Sequence, residues 1–367
     1  ILSLTRGQCR ASDEGRFEIQ TAGGTRIVRI PALRMPDVPK RSAGYFIQPG
    51  MDLVDLFVGS EGTLGAIAEV TLRTAPVPGG LCRAFVPVPT EAQGVALVAE
   101  RRGQDPRQKL AIFSDGLDVS AIEHLDSRSI QILREDGVDR RYDVTLPAGA
   151  AMVLLIDLEL SEALAATDLW PVIAESLEPA AKDSPLTRFC RLLDRHGVFD
   201  DAEVTLPGDR ARVQALAEMR EAVPAGVNRR VALARQADPA ITKTAADMIV
   251  PYDRFGEMMT VCRRLFAERG LDLAVWGHIS DGNVHPNVIP QLADDVRKGR
   301  EAILALGDAV IAMGGCPLAE HGVGRNPIKQ QLLRRLYGDA GIDAMRAIKL
   351  SLDPNGSLAS GVIFPAQ

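Results

Sequence analysis

The chain has 367 residues, 46% of them hydrophobic and 25% charged, which is enough apolar mass for a sizeable core and more length than one simple core uses, so two domains, or one with a large lobe, are expected. A net charge of −6 without a basic block, and aromatics at only 4%, argue against nucleic acid as a partner. No apolar run is long enough to span a membrane, and five scattered cysteines (Cys9, Cys82, Cys190, Cys262, Cys316) without CxxC spacing suit a reducing compartment and neither a disulfide framework nor a cysteine metal site.

The chain opens on ILSLTRGQ, strand-like and without Met or a signal pattern, so coding sequence, or at least structure, is expected before Ile1. GRFEIQTAGGTRIVRI predicts two short strands around Gly23-Gly24. The segment from Ala43 to Pro78 holds a glycine-rich stretch, then AIAEVTLRTA, whose alternating apolar residues predict a strand, and APVPGG marks a domain boundary. Beyond it, CRAFVPVP predicts a strand and TEAQGVALVAERRG a helix capped by Thr90. VSAIEHLDSRSIQILRE contains a further helix, and AMVLLIDLEL is a buried strand. DLWPVIAESLEPAAK and residues 209–236 are mostly helical, the latter interrupted by Pro224. LAVWGHI and VHPNVIP are strands, and two long helices close the chain, over about 293–313 and 327–351, the second broken near Gly338. Strands and helices in this order give an α+β fold rather than regular βαβ alternation.

WGHISDGNVHP, residues 276–286, carries two of the five histidines. Asp281-Gly282 as the centre of a type I′ turn places Ser280 across from Asn283, Ile279 from Val284 and His278 from His285. Cross-strand partners have Cβ atoms about 4.5–5.5 Å apart, so two imidazoles there converge on one ion at metal–nitrogen distances of about 2.0–2.1 Å. A surface hairpin with two hydrogen-bonded histidines would carry the same residues, so further ligands are required. LAEHGVGRNPIKQQLL (318–333) offers Glu320 and His321, followed by Asn326 as N-cap and Pro327 as first residue of a helix. Adjacent side chains of an extended segment point opposite ways, so one of the pair is free to bind a metal while the other faces substrate. Carboxylate plus two imidazoles is a ligand set for zinc and similar ions, and a histidine beside it suits general-base work. The competing reading is a helix-entry loop whose glutamate is favoured by the helix dipole. VGSEGTLG (58–65) offers Gly59, Gly62 and Gly65 for close backbone approach to a ligand, but it is neither a Walker A loop nor a GxGxxG fingerprint, and a β-turn explains it equally.

Taken together, AGYFIQPGMDLVDLFVGSEGTLGAIAEVTLR, MREAVPAGVN, TKTAADMIVP, WGHISDGNVHPNV, AEHGVGRNPIKQQLLRRLYG and MRAIKLSLDPNG resemble, in order and over residues 40–365, the FAD-linked oxidases of the vanillyl-alcohol-oxidase type. Within that superfamily the resemblance is to D-lactate, glycolate and D-2-hydroxyglutarate dehydrogenases, above all the bacterial cytochrome-linked D-lactate group. The resemblance implies the C-terminal remainder of a PCMH-type FAD-binding domain (1–78), followed by a FAD-linked oxidase C-terminal domain (79–367). The latter is an antiparallel sheet flanked by helices, with its last segment returning toward the flavin.

It also implies roles. Gly59, Ser60, Glu61, Gly62, Leu64 and Gly65 lie against FAD; His278, His285 and Glu320 hold a divalent metal (Zn, Mn or Fe). His321 is the general base, Arg220 and Lys243 hold the substrate carboxylate, and Asn287 is a further substrate contact. A D-2-hydroxy acid would then lose its hydroxyl proton to His321 and its C2 hydride to flavin N5. The implied partners are a small 2-hydroxy acid, an electron acceptor (quinone, cytochrome or flavoprotein) and a second copy in a homodimer, in the cytoplasm or at the inner membrane.

The sequence departs from the family pattern in three places. The loop that cradles the FAD pyrophosphate is not found, Ala359-Ser360 replaces an Asn-Pro pair, and Ser280 replaces a glycine. A non-redox metal-binding relative without FAD is the competing function. A zinc hydrolase with His321 as base is a third, and it lacks any HExxH motif.

Overall fold

The computed structural model describes residues 2–21, 23–101 and 117–366. Contacts divide the chain into two compact units: residues 1–73, 246–251 and 300–367 form the first, and residues 74–245 and 252–299 the second.

The second unit is built on an antiparallel sheet. Its strands run in the spatial order Glu203–Val204, Gly80–Val88, Met152–Leu160, Leu117–Asp126, Leu273–His278, Asn283–Val288 and Thr244–Ala245. Side chains alternate between the two faces of a strand, so each face is read from its buried members. Phe85, Leu125, Val153, Leu155, Ala274 and Trp276 share one core with Ile130 and Leu133 of the helix Ser127–Glu135 and with Leu216, Met219, Val223, Val227 and Val231 of the helix Arg210–Ala237. By period two, Glu123 joins the face of Leu125, and His278 that of Trp276. His124 goes to the opposite face, where its ring meets Phe255 edge-on at 5.6 Å.

One irregularity fixes that assignment. Val119 pairs with Leu158 and Ala121 with Asp157, so Ser120 is the extra residue of a bulge. Without it, every later side chain of the strand would change faces.

Several sequence expectations hold in this unit. Strands form at Gly80–Val88 and Met152–Leu160, and Thr90 Oγ1 accepts from Gln93 N at 3.2 Å at the start of the helix Glu91–Arg101. The remainder of that predicted helix, Arg102 and Gly103, lies outside the described residues. Pro224 does not interrupt its helix, which runs unbroken over Arg210–Ala237. An internal proline costs about 3 kcal/mol. Burying Leu216, Met219, Val223, Val227 and Val231 returns about 1.5–3 kcal/mol each, so tertiary packing decides. The helix predicted over DLWPVIAESLEPAAK shrinks to Leu169–Ala174.

The first unit holds the hairpin Arg16–Thr21 with Gly24–Arg29, which buries Phe17, Ile19 and Val28. It also holds the helix Pro327–Leu352. Asn326 caps that helix by accepting from Ile328 N at 2.9 Å, and Gly338 breaks it at φ +67°, as the sequence suggests. Leu332, Leu333, Ile342, Met345 and Ile348 form its buried stripe, and Tyr45 meets Phe364 edge-on at 6.0 Å. The strand expected over AIAEVTLRTA is absent. Residues 65–78 carry no regular secondary structure, and Ile67, Val70, Leu72 and Val77 are exposed. Alternation makes a strand only where a neighbour takes its backbone hydrogen bonds, and no described strand pairs with this one.

Candidate functional site

The histidine hairpin forms, but not with the turn expected. Its register pairs His285 with Trp276 and Asn287 with Ala274, which places Asn283 rather than His285 across from His278. Ile279–Asp281 form a short 3-10 turn and Gly282 closes it at φ +82°, so the connection is four residues long, not two. The slip is two residues, and an even slip keeps every side chain on its face. His278 and His285 therefore still share a face, with ring centroids 5.6 Å apart and rings nearly perpendicular. Gly277 is required here: a Cβ would lie 2.6 Å from Asn283 O and 2.9 Å from Val284 Cα.

The neighbouring strand supplies what the sequence reading missed. Glu123 pairs with His278 across the sheet and takes its Nδ1–H at 2.8 Å on Oε1. Its other oxygen accepts from Arg220 Nη2 at 3.2 Å, and Arg220 also bonds Glu221 at 2.5 Å. Burial pushes the Glu123 carboxyl up. The His278 hydrogen bond and the Arg220 charge pull harder and hold it below the usual carboxylate range. Asn287 is buried on the histidine face and donates from Nδ2 to His285 O at 2.9 Å.

Lys243 lines a cavity of about 480 Å³ with Asn228, Val231, Ala232, Arg235 and Gln236. Arg220 and Asn228 are two turns apart on one helix, roughly 12 Å at 1.5 Å per residue. Burial lowers the Lys243 ammonium from its ordinary range.

In the first unit, Glu320 and His321 do not point opposite ways. His321 Nε2 lies 3.3 Å from Glu320 Oε1, because the chain bends there and does not run extended. Asp247 Oδ2 accepts both backbone N–H groups, from Glu320 and from His321, each at 2.7 Å. Glu320 Oε2 meets Lys40 Nζ at 2.8 Å, and the His321 side chain is 58% exposed. One potential ligand atom each of Asp247, Glu320 and His321 lies within 4.8 Å of the others. Lys329 Nζ donates to His321 O and Gly322 O, fixing the segment from below.

The glycine-rich loop, also in the first unit, is tied down on several sides. Ser60 and Leu64 are buried, and Thr63 Oγ1 bonds Tyr45 at 2.7 Å. Lys349 Nζ bridges Thr63 O and Leu358 O at 3.0 and 2.8 Å. Glu61, at φ +53°, turns its carboxylate onto Val323 N and Gly324 N. Gly59 faces open space, and Gly62 has only the Ala359 methyl at 4.0 Å, while Gly65 lies against Phe57.

Both implied groups fit chemically. The open backbone at Gly59 and Gly62 suits a flat ligand at close approach. Two imidazoles on one face, one backed by a carboxylate, suit a divalent ion, as do the clustered oxygens and imidazole of the first unit. Of the residues missed, Asp247 carries no sequence signal beyond the stretch TKTAADMIVP that contains it. Glu123 became readable only once the bulge at Ser120 set its face.

Residues 109–363 match the family described as FAD linked oxidases, C-terminal domain. The chain is 26% identical over 318 residues to the glycolate oxidase subunit GlcD of Bacillus subtilis (strain 168), covering 86% of the chain and 57% of that protein. It is 24% identical over 355 residues to a probable mitochondrial D-lactate dehydrogenase of Danio rerio, covering 95% and 59%. To the mitochondrial D-2-hydroxyglutarate dehydrogenase of Rattus norvegicus it is 25% identical over 369 residues, covering 99% and 57%. The chain thus spans 57–59% of the length of these relatives. In fold it resembles a 4-ethylphenol oxidase from Gulosibacter chungangensis, at TM-score 0.51 and 14% identity over 97% of this chain and 66% of the other. It also resembles a p-cresol methylhydroxylase, at TM-score 0.50 and 13% identity over 79% and 54%. The α+β architecture with a helix-flanked antiparallel sheet is that of PCMH-type flavoproteins, as the sequence implied. Among the described residues no helix is long and apolar enough to cross a membrane.

Proposed function

The chain belongs to the FAD linked oxidases through their C-terminal domain, and on that premise we propose that it serves the oxidation of a D-2-hydroxy acid, D-lactate or a similar compound, to the 2-oxo acid. The observation that carries the reading is the pair His278 and His285, on one sheet face with rings 5.6 Å apart. The proposed ligand set is His278, His285 and Glu320. When bound, FAD supplies a hydride acceptor and the divalent ion lowers the pKa of the substrate hydroxyl.

The chain's own residues do the rest. Arg220 grips a carboxylate through the planar fork of its guanidinium, and Lys243, an exposed side chain on the lining of its cavity, adds a point charge. The two helix turns between Arg220 and Asn228, which lines the Lys243 cavity, favour a substrate with polar groups at both ends over one small carboxylate held by both cations. His321 takes the hydroxyl proton at a ring nitrogen, its backbone held by Asp247 and Lys329. Glycolate, lactate and 2-hydroxyglutarate, the substrates that the relatives' names suggest, are the compounds to test.

The test uses the full-length polypeptide that carries this sequence. A yellow protein whose flavin absorbance bleaches with a D-2-hydroxy acid, and not with its L-enantiomer, supports the proposal. A colourless protein that still binds the ion is a non-redox relative, and the oxidation reading is then wrong.

A further inference from the structure

We propose that Glu123 is a positioning residue that sets both the metal-binding nitrogen of His278 and the orientation of Arg220, an inference that rests on the reading above of those two residues. The geometry points to it from three sides. Glu123 is a direct cross-strand partner of His278, and its Oε1 takes the Nδ1–H at 2.8 Å. That bond commits Nδ1 to carry the proton, and in the neutral ring Nε2 is then the nitrogen that bears the lone pair. A carboxylate behind a ligating imidazole also fixes the ring's rotation and raises its basicity.

The second oxygen of the same carboxylate holds Arg220 Nη2 at 3.2 Å. One side chain therefore orients a ligand of the ion and the cation for the substrate carboxylate. The Glu123 side chain is only 19% exposed, and its strand is paired on both edges, so neither bond depends on a mobile surface group. The bulge at Ser120 is what turns Glu123, and not His124, toward these partners.

The inference is tested by loading the full-length protein, as wild type, Glu123→Ala, Glu123→Gln and His278→Ala, with Co²⁺. Affinity is read by competition with a chromophoric chelator, and ligand geometry from the visible d–d bands. The expected result is a loss of about 10–100-fold in affinity for Glu123→Ala, with altered bands. Glu123→Gln, whose amide oxygen still accepts from Nδ1, should recover part of it. The apparent KM for the 2-hydroxy acid should rise in both variants, as Arg220 loses its charged anchor.

Unchanged affinity and bands in Glu123→Ala, beside a His278→Ala protein that loses the ion, would overturn the inference and leave the metal reading standing. Unchanged binding in His278→Ala would overturn both. If Glu123→Ala does not fold, the near-isosteric Glu123→Gln decides: wild-type affinity, bands and KM in that variant sink the inference.

Discussion

Glu61 and Gly324 are joined by a 2.7 Å hydrogen bond from the Gly324 backbone N–H to the Glu61 carboxylate, across 263 residues of sequence. The same carboxylate takes Val323 N at 2.9 Å, so the side chain of the glycine-rich loop is spent on the segment that follows His321. Gly322 packs against it so closely that a Cβ there would lie 2.9 Å from the carboxylate. Glu61 thus ties two loops of one unit together. Hydrogen bonds to a charged group are worth about 1.5–3 kcal/mol each. Glu61→Ala is therefore expected to destabilise by about 2–4 kcal/mol, and Glu61→Gln by less. Urea melts measure both, and equal stability of all three proteins would show that the tie is idle.

His124 gives stability a definite pH dependence. Burial brings its pKa down to about 4, against 6.5 when unfolded, and Nδ1 bonds Gly277 O at 3.1 Å while Nε2 has no partner. A depressed folded-state pKa means that the contribution is whole above pH 6.5 and is lost as pH falls toward 4. The loss is on the order of 3 kcal/mol. His124→Leu should flatten that part of the stability profile. The same slope in variant and wild type between pH 6.5 and 4 would rule the assignment out.

Gly277 has no room for a side chain, since the obstructing atoms are backbone atoms of Asn283 and Val284. Gly277→Ala should separate the two strands, cost about 1–3 kcal/mol and weaken metal binding together with stability. An alanine variant with wild-type melting and metal affinity would contradict the register described for the hairpin.

Arg220 and Lys243 are expected to act on different parts of the substrate. Arg220→Lys should raise KM for every 2-hydroxy acid about tenfold or more, since a point charge cannot replace a bidentate fork. Lys243→Met should penalise the longer diacid more than lactate. Steady-state kinetics with the two substrates decides, and equal penalties would place both cations at one carboxylate.

Much of this was legible in the sequence because its signals are local. The Asn326-Pro327 helix start, the Gly338 break and the buried strand at 152–160 depend on neighbouring residues alone. The shared face of His278 and His285 was read correctly from a wrong turn, because the slip was even and parity survived. What stayed hidden depends on distant chain. The strand over 66–75 failed for want of a partner, and Pro224 was overruled by the core its helix covers. The bulge at Ser120, which aims Glu123, leaves no mark in a sequence of ordinary strand residues. Asp247 reaches Glu320 and His321 over 73 and 74 residues, beyond any local pattern.

The proposed divalent-ion site stands on the histidine hairpin of this chain. Metal content after purification, and after reloading with zinc or manganese, tests it most directly in wild type, His278→Ala, His285→Ala and Glu320→Gln. About one ion per chain in the wild type, and a clear loss in each variant, is the result expected. Metal content unchanged by all three substitutions would contradict the account.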